Sequence, residues 1–482
     1  MFVTVTPTSV VTMSSESSLA ELRAIVGEAN VLAGDDAASA LIDWRKKYKG
    51  AALAIVRPCS TEEVSSVVKW CASNGTCVVT QGGNTGLSGG QQPLEDRPAI
   101  VLSLTRMNTI EQVDAAGWTM TVQAGVTIEA MHEAAAAVDR KFAPNWGARG
   151  TATIGGGIAT DAGGVNVLRY GNMRDQVMGL EVVLPDGEVW NGLRALRKDS
   201  SGYDIKQLFV ASEGTLGVVC RAVVQLHPAT EFEQTAMATL RSMDDLMDLY
   251  ALANEVASDA VTAFELMPEV GVAKVCEVFE IAHPVKDRGD FYVLVKLAGT
   301  RPVIDQLTEF LSTGTERGLI TDAVVASTTA QVEQLWTIRD ELPPMGLYPH
   351  QAIALKLDTA VPITKIGEFH EAVRDVAAEL VPEALAYGFG HVGDGNIHMM
   401  VLPVTDEQVE PFLAVRAELV RRIDELTFEL GGTLSAEHGV GREMVDRIEG
   451  QKSDVEWRLM RSIKATLDPD DLFNPGVMLP PA

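Results

Sequence analysis

Basic residues are scarce in this 482-residue chain. Lys and Arg together number 39 against 66 Asp and Glu, which gives a formal net charge of −27 at pH 7. Nucleic acids and anionic membrane surfaces are polyanions that such a chain repels, so the composition argues against both as partners. An anionic small molecule could bind only where Arg, Lys, a metal ion or backbone N–H groups act locally against the overall field.

Cysteines, N-terminal basic residues and long apolar runs are also rare or absent. The five cysteines form no C-x-x-C pair, so we expect reduced thiols rather than a disulfide framework. Residues 1–22 contain no Lys or Arg, which argues against a secretory signal or a mitochondrial presequence. No apolar run approaches the ~18–20 residues that span a bilayer. The sequence therefore predicts a cytoplasmic protein without a membrane span, with a homodimer as the default assembly.

The composition is that of a globular protein, with 46% hydrophobic and 22% charged residues, and the length suits roughly two to four domains. ALAIV at 52–56 and CVVT at 77–80 are predicted as buried strands, and the apolar spacing over 61–73 predicts a helix between them. The patterning predicts four segments, namely a helical lead-in at 1–46, a domain at 47–228, a second domain at 229–430 and a C-terminal segment at 431–482.

Three glycine-rich stretches stand beside predicted strands: QGGNTGLSGG at 81–90, GTATIGGGIATDAGG at 150–164 and ASEGTLGVV at 211–219. Such loops bind phosphate because successive N–H groups point into one concavity and no Cβ blocks the anion. The spacing fits neither G-x-G-x-x-G nor G-x-x-x-x-G-K-[ST], and one such loop alone could equally be a tight turn. Three together favour an extended ligand such as a dinucleotide.

Three of the eight histidines lie in glycine-bounded polar motifs, His391 and His398 in GFGHVGDGNIHMMV and His438 in SAEHGVG. Asp394-Gly395 is typical of a two-residue hairpin turn, and pairing around it would place His391 directly opposite His398. Two histidines and a carboxylate such as Glu437, with open coordination positions, indicate a catalytic metal site. The alternative is a set of polar surface or core histidines, and the adjacent Glu-His pair alone is a weak signal because its side chains diverge.

The three glycine-rich loops, taken with APNWGARG, LRYG, LEVVLPDG and GYDIKQLF, resemble the FAD-binding domain of the vanillyl-alcohol-oxidase-type flavoproteins over roughly residues 47–228. The resemblance implies an α+β fold, with a two-subdomain FAD-binding domain, an α+β substrate domain containing an antiparallel sheet, and a C-terminal helical segment. Some relatives bind FAD covalently through His or Cys, but the three loops contain neither, so we expect non-covalent FAD. The residues expected to bind FAD are Gly82, Gly83, Asn84, Thr85, Gly86, Ser88, Gly89, Pro144, Gly150, Thr151, Gly155, Gly156, Thr160, Gly163, Glu213, Gly214, Gly217, Val218 and Asn474.

GHVGDGNIH, SAEHGVG and the terminator DPDDLFNPG resemble the C-terminal half of the D-2-hydroxyglutarate and D-lactate dehydrogenases of this family. By this resemblance, His391, His398 and Glu437 would bind Zn²⁺ (or Mn²⁺ or Co²⁺), and His438 would be the general base and contact the substrate. The implied reaction is oxidation of a small anionic D-2-hydroxy acid, with D-2-hydroxyglutarate preferred, to the 2-oxo acid. The hydride would pass to flavin N5 and the electrons to an unidentified acceptor.

Arg339 and Lys356 stand where the 2-hydroxyglutarate branch carries an Arg and a Lys for the far carboxylate of the substrate, so the resemblance makes both substrate-binding residues. Two departures favour a smaller or more apolar substrate such as D-lactate. Pro343 replaces a Thr of some relatives, and Met400 replaces an Asn.

Other interpretations of the same residues stay open. Arg339 or Lys356 could form a surface ion pair with Asp340 or Asp358. A flavin-free zinc hydrolase would explain the histidines but leave the glycine-rich loops unused. A flavin reductase with a nicotinamide donor would explain the loops but leave the histidines unused.

Overall fold

The computed structural model of the protein describes residues 15–343 and 346–480. Two regions with sheets of their own follow one another along the chain, and a C-terminal segment returns to the first. Among the described residues, no helix combines the length and the apolar character that crossing a membrane requires.

The first region, up to residue 228, is built around two main sheets. Its strands are β1 (Val31–Leu32), β2 (Ile55–Val56), β3 (Cys77–Gln81), β4 (Ala99–Ser103), β5 (Ile110–Asp114), β6 (Thr119–Gln123), β7 (Arg140–Lys141), β8 (Val177–Val183), β9 (Val189–Gly192), β10 (Val218–Gln225) and β11 (His227–Pro228). Its helices are α1 (Ser15–Val26), α2 (Thr61–Asn74), α3 (Ile128–Ala136), α4 (Ile154–Thr160), α5 (Val167–Tyr170) and α6 (Met173–Gln176). One sheet has parallel β2, β4 and β3 with antiparallel β1 at its edge, and the other is antiparallel in the order β5-β6-β10-β8-β9.

The predicted strand–helix–strand unit is present as β2, α2 and β3. The side chain of Ser60 accepts the N–H of Glu63 and caps the start of α2, and Gly75 ends the helix in the left-handed conformation at φ 59°. The apolar stripe of α2 is fully buried, and it consists of Val64, Val67, Val68 and Cys71. Strand β3 then leads directly into the first glycine-rich loop.

The lead-in and the tail both pack on this sheet. Leu22 and Val26 of α1 belong to the same buried cluster as the apolar stripe of α2. From the far end of the chain, the carbonyl of Leu472 accepts the N–H of Val78 at 2.8 Å, and Phe473 lies in the same cluster. The described part of the lead-in therefore shares the core of the first region, and the tail closes over it.

The second region and the tail contain a large antiparallel sheet with the order β15-β12-β14-β13-β18-β19-β16, and β17 pairs with β19. Its strands are β12 (Phe232–Leu240), β13 (Val261–Pro268), β14 (Phe291–Gly299), β15 (Ile320–Val325), β16 (Leu355–Lys356), β17 (Thr359–Ala360), β18 (Leu385–His391) and β19 (Asn396–Leu402). The helices are α7 (Leu246–Ala257), α8 (Glu269–Val278), α9 (Ile304–Glu316), α10 (Thr329–Asp340), α11 (Ile366–Leu380), α12 (Asp406–Glu429) and α13 (Asp454–Leu467).

Helices cover both faces of this sheet. Alternate residues of its strands point to opposite faces and therefore pack in different cores. In β14, Val293 and Val295 pack in the cluster that contains α7, α9, α11 and α12. Tyr292 and Leu294 point the other way, into the cluster that contains α8 and α10. Antiparallel sheets combined with helices in this way confirm the predicted α+β class.

Candidate active site

The first two glycine-rich loops pack against each other beside the end of β3. A Cβ at Gly82 would overlap the hydroxyl of Thr153, and one at Gly83 would overlap the carbonyl of Thr151, so this close approach requires glycine. A cavity of about 660 Å³ lies beside the loops and is continued by one of about 530 Å³. The structure thus brings the separate glycine motifs to one elongated space.

Most residues predicted to bind the cofactor line these two cavities. They are Gly82, Gly83, Asn84, Thr85, Gly86, Ser88, Gly150, Thr151, Gly155, Gly156, Thr160, Gly163, Glu213, Gly214, Gly217 and Asn474.

Three other residues predicted to contact the cofactor lie outside both linings. Gly89 packs on the ring of Tyr48. The carbonyl of Pro144 lies 2.8 Å from Nε2 of His132. Val218 is fully buried in the core, because strand alternation turns its side chain away from the cavity.

Two threonine hydroxyls on the cavity wall need a partner that the protein does not supply. Oγ1 of Thr80 and Oγ1 of Thr153 are buried without a hydrogen bond, and both residues line the cavity. Buried hydroxyls are normally paired, so a ligand with polar atoms fits here. A Cβ at Gly147 or Gly156 would meet almost no protein atoms, which leaves the wall open at these positions. Sequence reasoning missed both threonines, although Thr80 ends a predicted strand and Thr153 lies within the second glycine motif.

Glu213 joins the third glycine-rich loop to the loop that carries His438. Its carboxylate accepts the N–H groups of Val440 at 2.7 Å and Gly441 at 2.8 Å, and its carbonyl accepts Nδ2 of Asn474 at 2.6 Å. Burial raises the pKa of Glu213 to about 7, although the two N–H groups oppose the rise. Segments from three parts of the chain therefore meet at one residue, two of them through its carboxylate and backbone carbonyl.

Strands β18 and β19 form the predicted hairpin in a different register. Residues 392–395 make the connection, so His391 pairs with Asn396 and His398 pairs with Phe389. The prediction that the two histidines are directly opposite is wrong, because a four-residue connection replaces the two-residue turn. The imidazoles still lie on one face as diagonal neighbours, with ring centroids 5.7 Å apart.

The structure brings together the three residues predicted to bind a metal. Nε2 of His391 lies 3.5 Å from Oε1 of Glu437, and Nε2 of His398 lies 3.4 Å from the same oxygen. Burial opposes a charge on His391, but the carboxylates of Glu265 and Glu437 raise its pKa to about 10. One ligand atom from each of the three residues lies within 4.8 Å of the others, a donor set that suits a divalent transition metal.

Glu265 stands behind His391 and was missed by sequence reasoning. Its Oε1 lies 2.9 Å from Nδ1 of His391, while its Oε2 accepts Nε of Arg339 at 2.9 Å and lies 2.8 Å from Nη2. Burial would raise the pKa of Glu265, but the two cationic neighbours lower it to about 2. A carboxylate on Nδ1 fixes the imidazole so that Nε2 is turned to Glu437. The available signal was a lone acid inside the otherwise apolar strand β13.

Asp358 holds the loop of His438 and was also missed. Its Oδ2 accepts the N–H groups of Glu437 at 3.1 Å and His438 at 2.9 Å, and lies 3.2 Å from Nδ1 of His438. Its Oδ1 accepts Nδ2 of Asn396 at 3.0 Å. Asp358 is 3% exposed, so it is an interior anchor rather than a surface partner.

A third cavity of about 1250 Å³ adjoins the histidines. Arg339 and Lys356 both line it, as do Pro343 and Met400. Glu437 and His438 line this cavity and also the one between the glycine-rich loops, so the two spaces meet at these residues.

The two predicted substrate cations differ in their surroundings. Arg339 is largely buried and pairs chiefly with Glu265, and its Nη1 also lies 3.5 Å from Oδ1 of Asp340, so the ion pair considered for it is present beside the shorter one to Glu265. Lys356 has no carboxylate within 4.0 Å in the described part of the chain, and burial lowers its pKa.

Family models match most of the chain. The FAD binding domain model covers residues 52–192, and the model of the C-terminal domain of FAD linked oxidases covers residues 230–478. Most residues that line the three cavities come from these two matched ranges.

Curated relatives match the chain along most of its length. D-2-hydroxyglutarate–pyruvate transhydrogenase of Saccharomyces cerevisiae is 33% identical over 95% of this chain and 93% of its own. Mitochondrial D-2-hydroxyglutarate dehydrogenase of Bos taurus is 34% identical over 97% of this chain and 84% of its own. D-2-hydroxyglutarate dehydrogenase of Xanthomonas citri pv. viticola is 35% identical over 90% of each chain.

Solved structures resemble the fold at low sequence identity. p-Cresol methylhydroxylase has a TM-score of 0.73 at 17% identity and covers 96% of each chain. 4-Ethylphenol oxidase from Gulosibacter chungangensis has a TM-score of 0.68 at 18% identity, over 97% of this chain and 98% of its own. Together with the FAD binding domain model, this likeness confirms the predicted vanillyl-alcohol-oxidase-type fold.

Proposed function

Because the chain belongs to the family of FAD-linked oxidases, we propose that it oxidises D-2-hydroxyglutarate to the 2-oxo acid with non-covalently bound FAD and a divalent metal ion. One observation carries the proposal. Glu437 and His438 line both the cavity between the glycine-rich loops and the cavity that holds the histidines. A substrate beside His438 would therefore lie between the proposed flavin site and the proposed metal site. The described lining of the glycine-loop cavity has no cysteine, and its single histidine is His438, which supports non-covalent binding.

His391, His398 and Glu437 would hold the metal, for which Zn²⁺, Mn²⁺ and Co²⁺ all suit the donor set. When bound, the metal would make the substrate hydroxyl more acidic, and the flavin would accept the two electrons of the oxidation. Glu265 would fix the ring of His391, since a carboxylate on the remote nitrogen orients a ligating histidine.

His438 would remove the hydroxyl proton of the substrate. Its Nδ1 faces Asp358, so Nε2 is the nitrogen left for the substrate. The same aspartate fixes the backbone of His438 through the N–H at 2.9 Å. A neutral imidazole has a basicity near working pH, which suits it to this step.

Lys356 and Arg339 would bind the carboxylates of the substrate. Lys356 lines the cavity without a counter-ion in the described chain, which favours a ligand with a second negative charge. Pro343 and Met400 offer no side-chain hydrogen-bond donor in the same cavity and favour a monocarboxylate such as D-lactate as the second candidate.

Kinetics on a set of D-2-hydroxy acids test the proposal. We expect kcat/KM to be higher for D-2-hydroxyglutarate and D-malate than for D-lactate with an artificial electron acceptor. Lys356→Met should lose about ten-fold or more on the two dicarboxylates and much less on D-lactate. A wild type that prefers D-lactate would favour the monocarboxylate candidate, and no oxidation of any D-2-hydroxy acid would refute the proposed function.

A further inference from the structure

Arg45 is a further cation in the lining of the cavity that holds Arg339 and Lys356. It belongs to the segment that links the lead-in to the first sheet. Asp43 fixes the turn of this segment by accepting the N–H groups of Arg45 at 3.2 Å and Tyr48 at 2.5 Å. The guanidinium donates to the carbonyl of Leu87, within the first glycine-rich loop. Arg45 is thereby held at the cavity wall, and its side chain keeps about a third (32%) of its surface exposed.

Around this part of the wall, the cations Arg45, Lys47 and Lys356 outnumber the carboxylates Asp43 and Glu443, although Nε of Arg45 lies 3.9 Å from Oδ2 of Asp43. Glu443 is shared by three groups, Lys47 at 2.5 Å, the hydroxyl of Tyr48 at 2.8 Å and Arg45 at 3.4 Å. Lys356 lines the same wall without a carboxylate in ion-pair range among the described residues. Partial burial lowers the pKa of Lys356, and the charge of Arg45 on the same cavity wall lowers it further. In a chain of net charge −27, such an excess of cations in a cavity indicates a site for an anion.

The sheet register gives the distance of this site from the histidines. Lys356 pairs with Met400, and the N–H of Leu357 continues the ladder to the carbonyl of Met399. Asp358, two residues further along, reaches His398 with an Oδ1–Nδ1 distance of 3.7 Å. Two residues of extended chain span about 7 Å. Lys356 therefore suits a charged group that is several bonds away from a reacting carbon beside the histidines, and Arg45 lines the same cavity.

We infer that Arg45 is a specificity-determining residue, which binds the far carboxylate of a dicarboxylic D-2-hydroxy acid together with Lys356. The inference rests on the proposed function and adds a residue from a distant part of the chain to the substrate site. An Arg has five N–H donors, so Arg45 can keep its bond to Leu87 and still donate to a carboxylate. Pro343 and Met400 supply no side-chain hydrogen bond to that carboxylate, so Arg45 would add its donors to those of Lys356, while Arg339 remains available for the other carboxylate.

The test compares Arg45→Ala, Arg45→Lys and the matched control Lys47→Ala in the flavin-loaded protein. Lys47 lies in the same segment and pairs with the same Glu443 but does not line the cavity. Arg45→Ala should raise KM for D-2-hydroxyglutarate about ten-fold or more, with a smaller change in kcat and little change in KM for D-lactate. Arg45→Lys should recover part of the loss, and Lys47→Ala should leave the ratio of the two substrates unchanged.

A binding measurement separates a loss of affinity from a loss of fold. The dissociation constant of 2-oxoglutarate, followed by its perturbation of the flavin absorbance, should rise in Arg45→Ala by a factor similar to that in KM. Equal losses on D-lactate and D-2-hydroxyglutarate, or an equal effect of Lys47→Ala, would overturn the role of Arg45. Arg45→Ala could leave KM for D-2-hydroxyglutarate unchanged while Lys356→Met still loses more kcat/KM on dicarboxylates than on D-lactate. In that case the inference about Arg45 fails and the proposed function stands. A wild type that does not oxidise D-2-hydroxyglutarate would refute both.

Discussion

Oδ2 of Asp358 lies 3.2 Å from Nδ1 of His438 and accepts the backbone N–H of the same residue at 2.9 Å. One buried carboxylate therefore fixes both the main chain and the ring of this histidine. The ring lies nearly parallel to that of His398, with centroids 6.2 Å apart and an interplanar angle of 15°. His438 is thus held beside the proposed metal ligands and is free to act on a substrate through Nε2.

Replacing His438 by Ala should remove the general base without removing the cofactors. We expect kcat to fall by about 10²–10⁴-fold, the range for acid–base catalysis, while the bound flavin and the metal content stay at wild-type levels. His350→Ala is the matched control, because His350 pairs with Asp406 away from the site. Loss of metal in His438→Ala would instead make His438 a ligand, and unaltered kcat would exclude it as the base.

Changing the proposed ligands should separate metal binding from flavin binding. His391→Ala and Glu437→Gln should lose the metal and the activity but keep the flavin colour, because most of the flavin cavity is built by the first region. Metal analysis and visible absorbance on the same samples check this. Chelation of the wild type should have the same effect, with activity restored by Zn²⁺, Mn²⁺ or Co²⁺. Flavin lost in parallel with metal would contradict two separable sites.

Glu265→Gln should weaken metal binding although it replaces none of the proposed metal ligands. The change removes the charge that orients His391, and such partners are typically worth about 10–100-fold in metal affinity. It also removes the main counter-ion of the largely buried Arg339 guanidinium and leaves it only Asp340 at 3.5 Å, which should cost at most about 3–5 kcal/mol of unfolding free energy. Glu255→Gln, which breaks an exposed pair with Arg317, is the control and should change stability by less than about 1 kcal/mol. Metal affinity equal to that of the wild type would show that Glu265 has only a structural role.

Ionisation of Glu213 should lower the free energy of unfolding as the pH rises. Burial raises its folded-state pKa to about 7 from an ordinary value of 4.5. A raised pKa gives stability that is fully present below pH 4.5 and is lost as pH rises through about 7. Because Gln cannot ionise, the unfolding free energy of the wild type minus that of Glu213→Gln should decrease across this range. Denaturant unfolding at several pH values measures the difference. A difference that grows with pH would mean that Val440 and Gly441 stabilise the carboxylate more than burial destabilises it.

The local motifs could be predicted from the sequence, because glycine spacing and hairpin residues act over short stretches. The glycine loops around Gly82 and Gly156 and the strands that carry His391 and His398 were found in this way. The hairpin register was not, since the choice between a two-residue and a four-residue connection around Asp394 depends on packing that no local pattern encodes.

The residues behind the site could not be predicted from the sequence. Glu265 is 126 positions from His391, and Asp358 is 80 positions from His438, so no local spacing connects either carboxylate with its histidine. Only the order of strands in the large sheet places β13 beside β18 and brings Glu265 opposite His391. Arg45 reaches the proposed substrate cavity for a similar reason, because its segment belongs to a part of the chain far from Arg339 and Lys356.

We propose that a D-2-hydroxy acid reduces a flavin held between the glycine-rich loops and the histidines. Anaerobic mixing of the purified yellow protein with D-2-hydroxyglutarate, without any acceptor, tests this while the visible absorbance of the oxidised flavin is recorded. We expect rapid loss of that absorbance with one equivalent of 2-oxo acid formed per flavin, no loss with the L-enantiomer, and no loss with NADH. A flavin that stays oxidised with D-2-hydroxy acids but is bleached by NADH would contradict the proposed reaction.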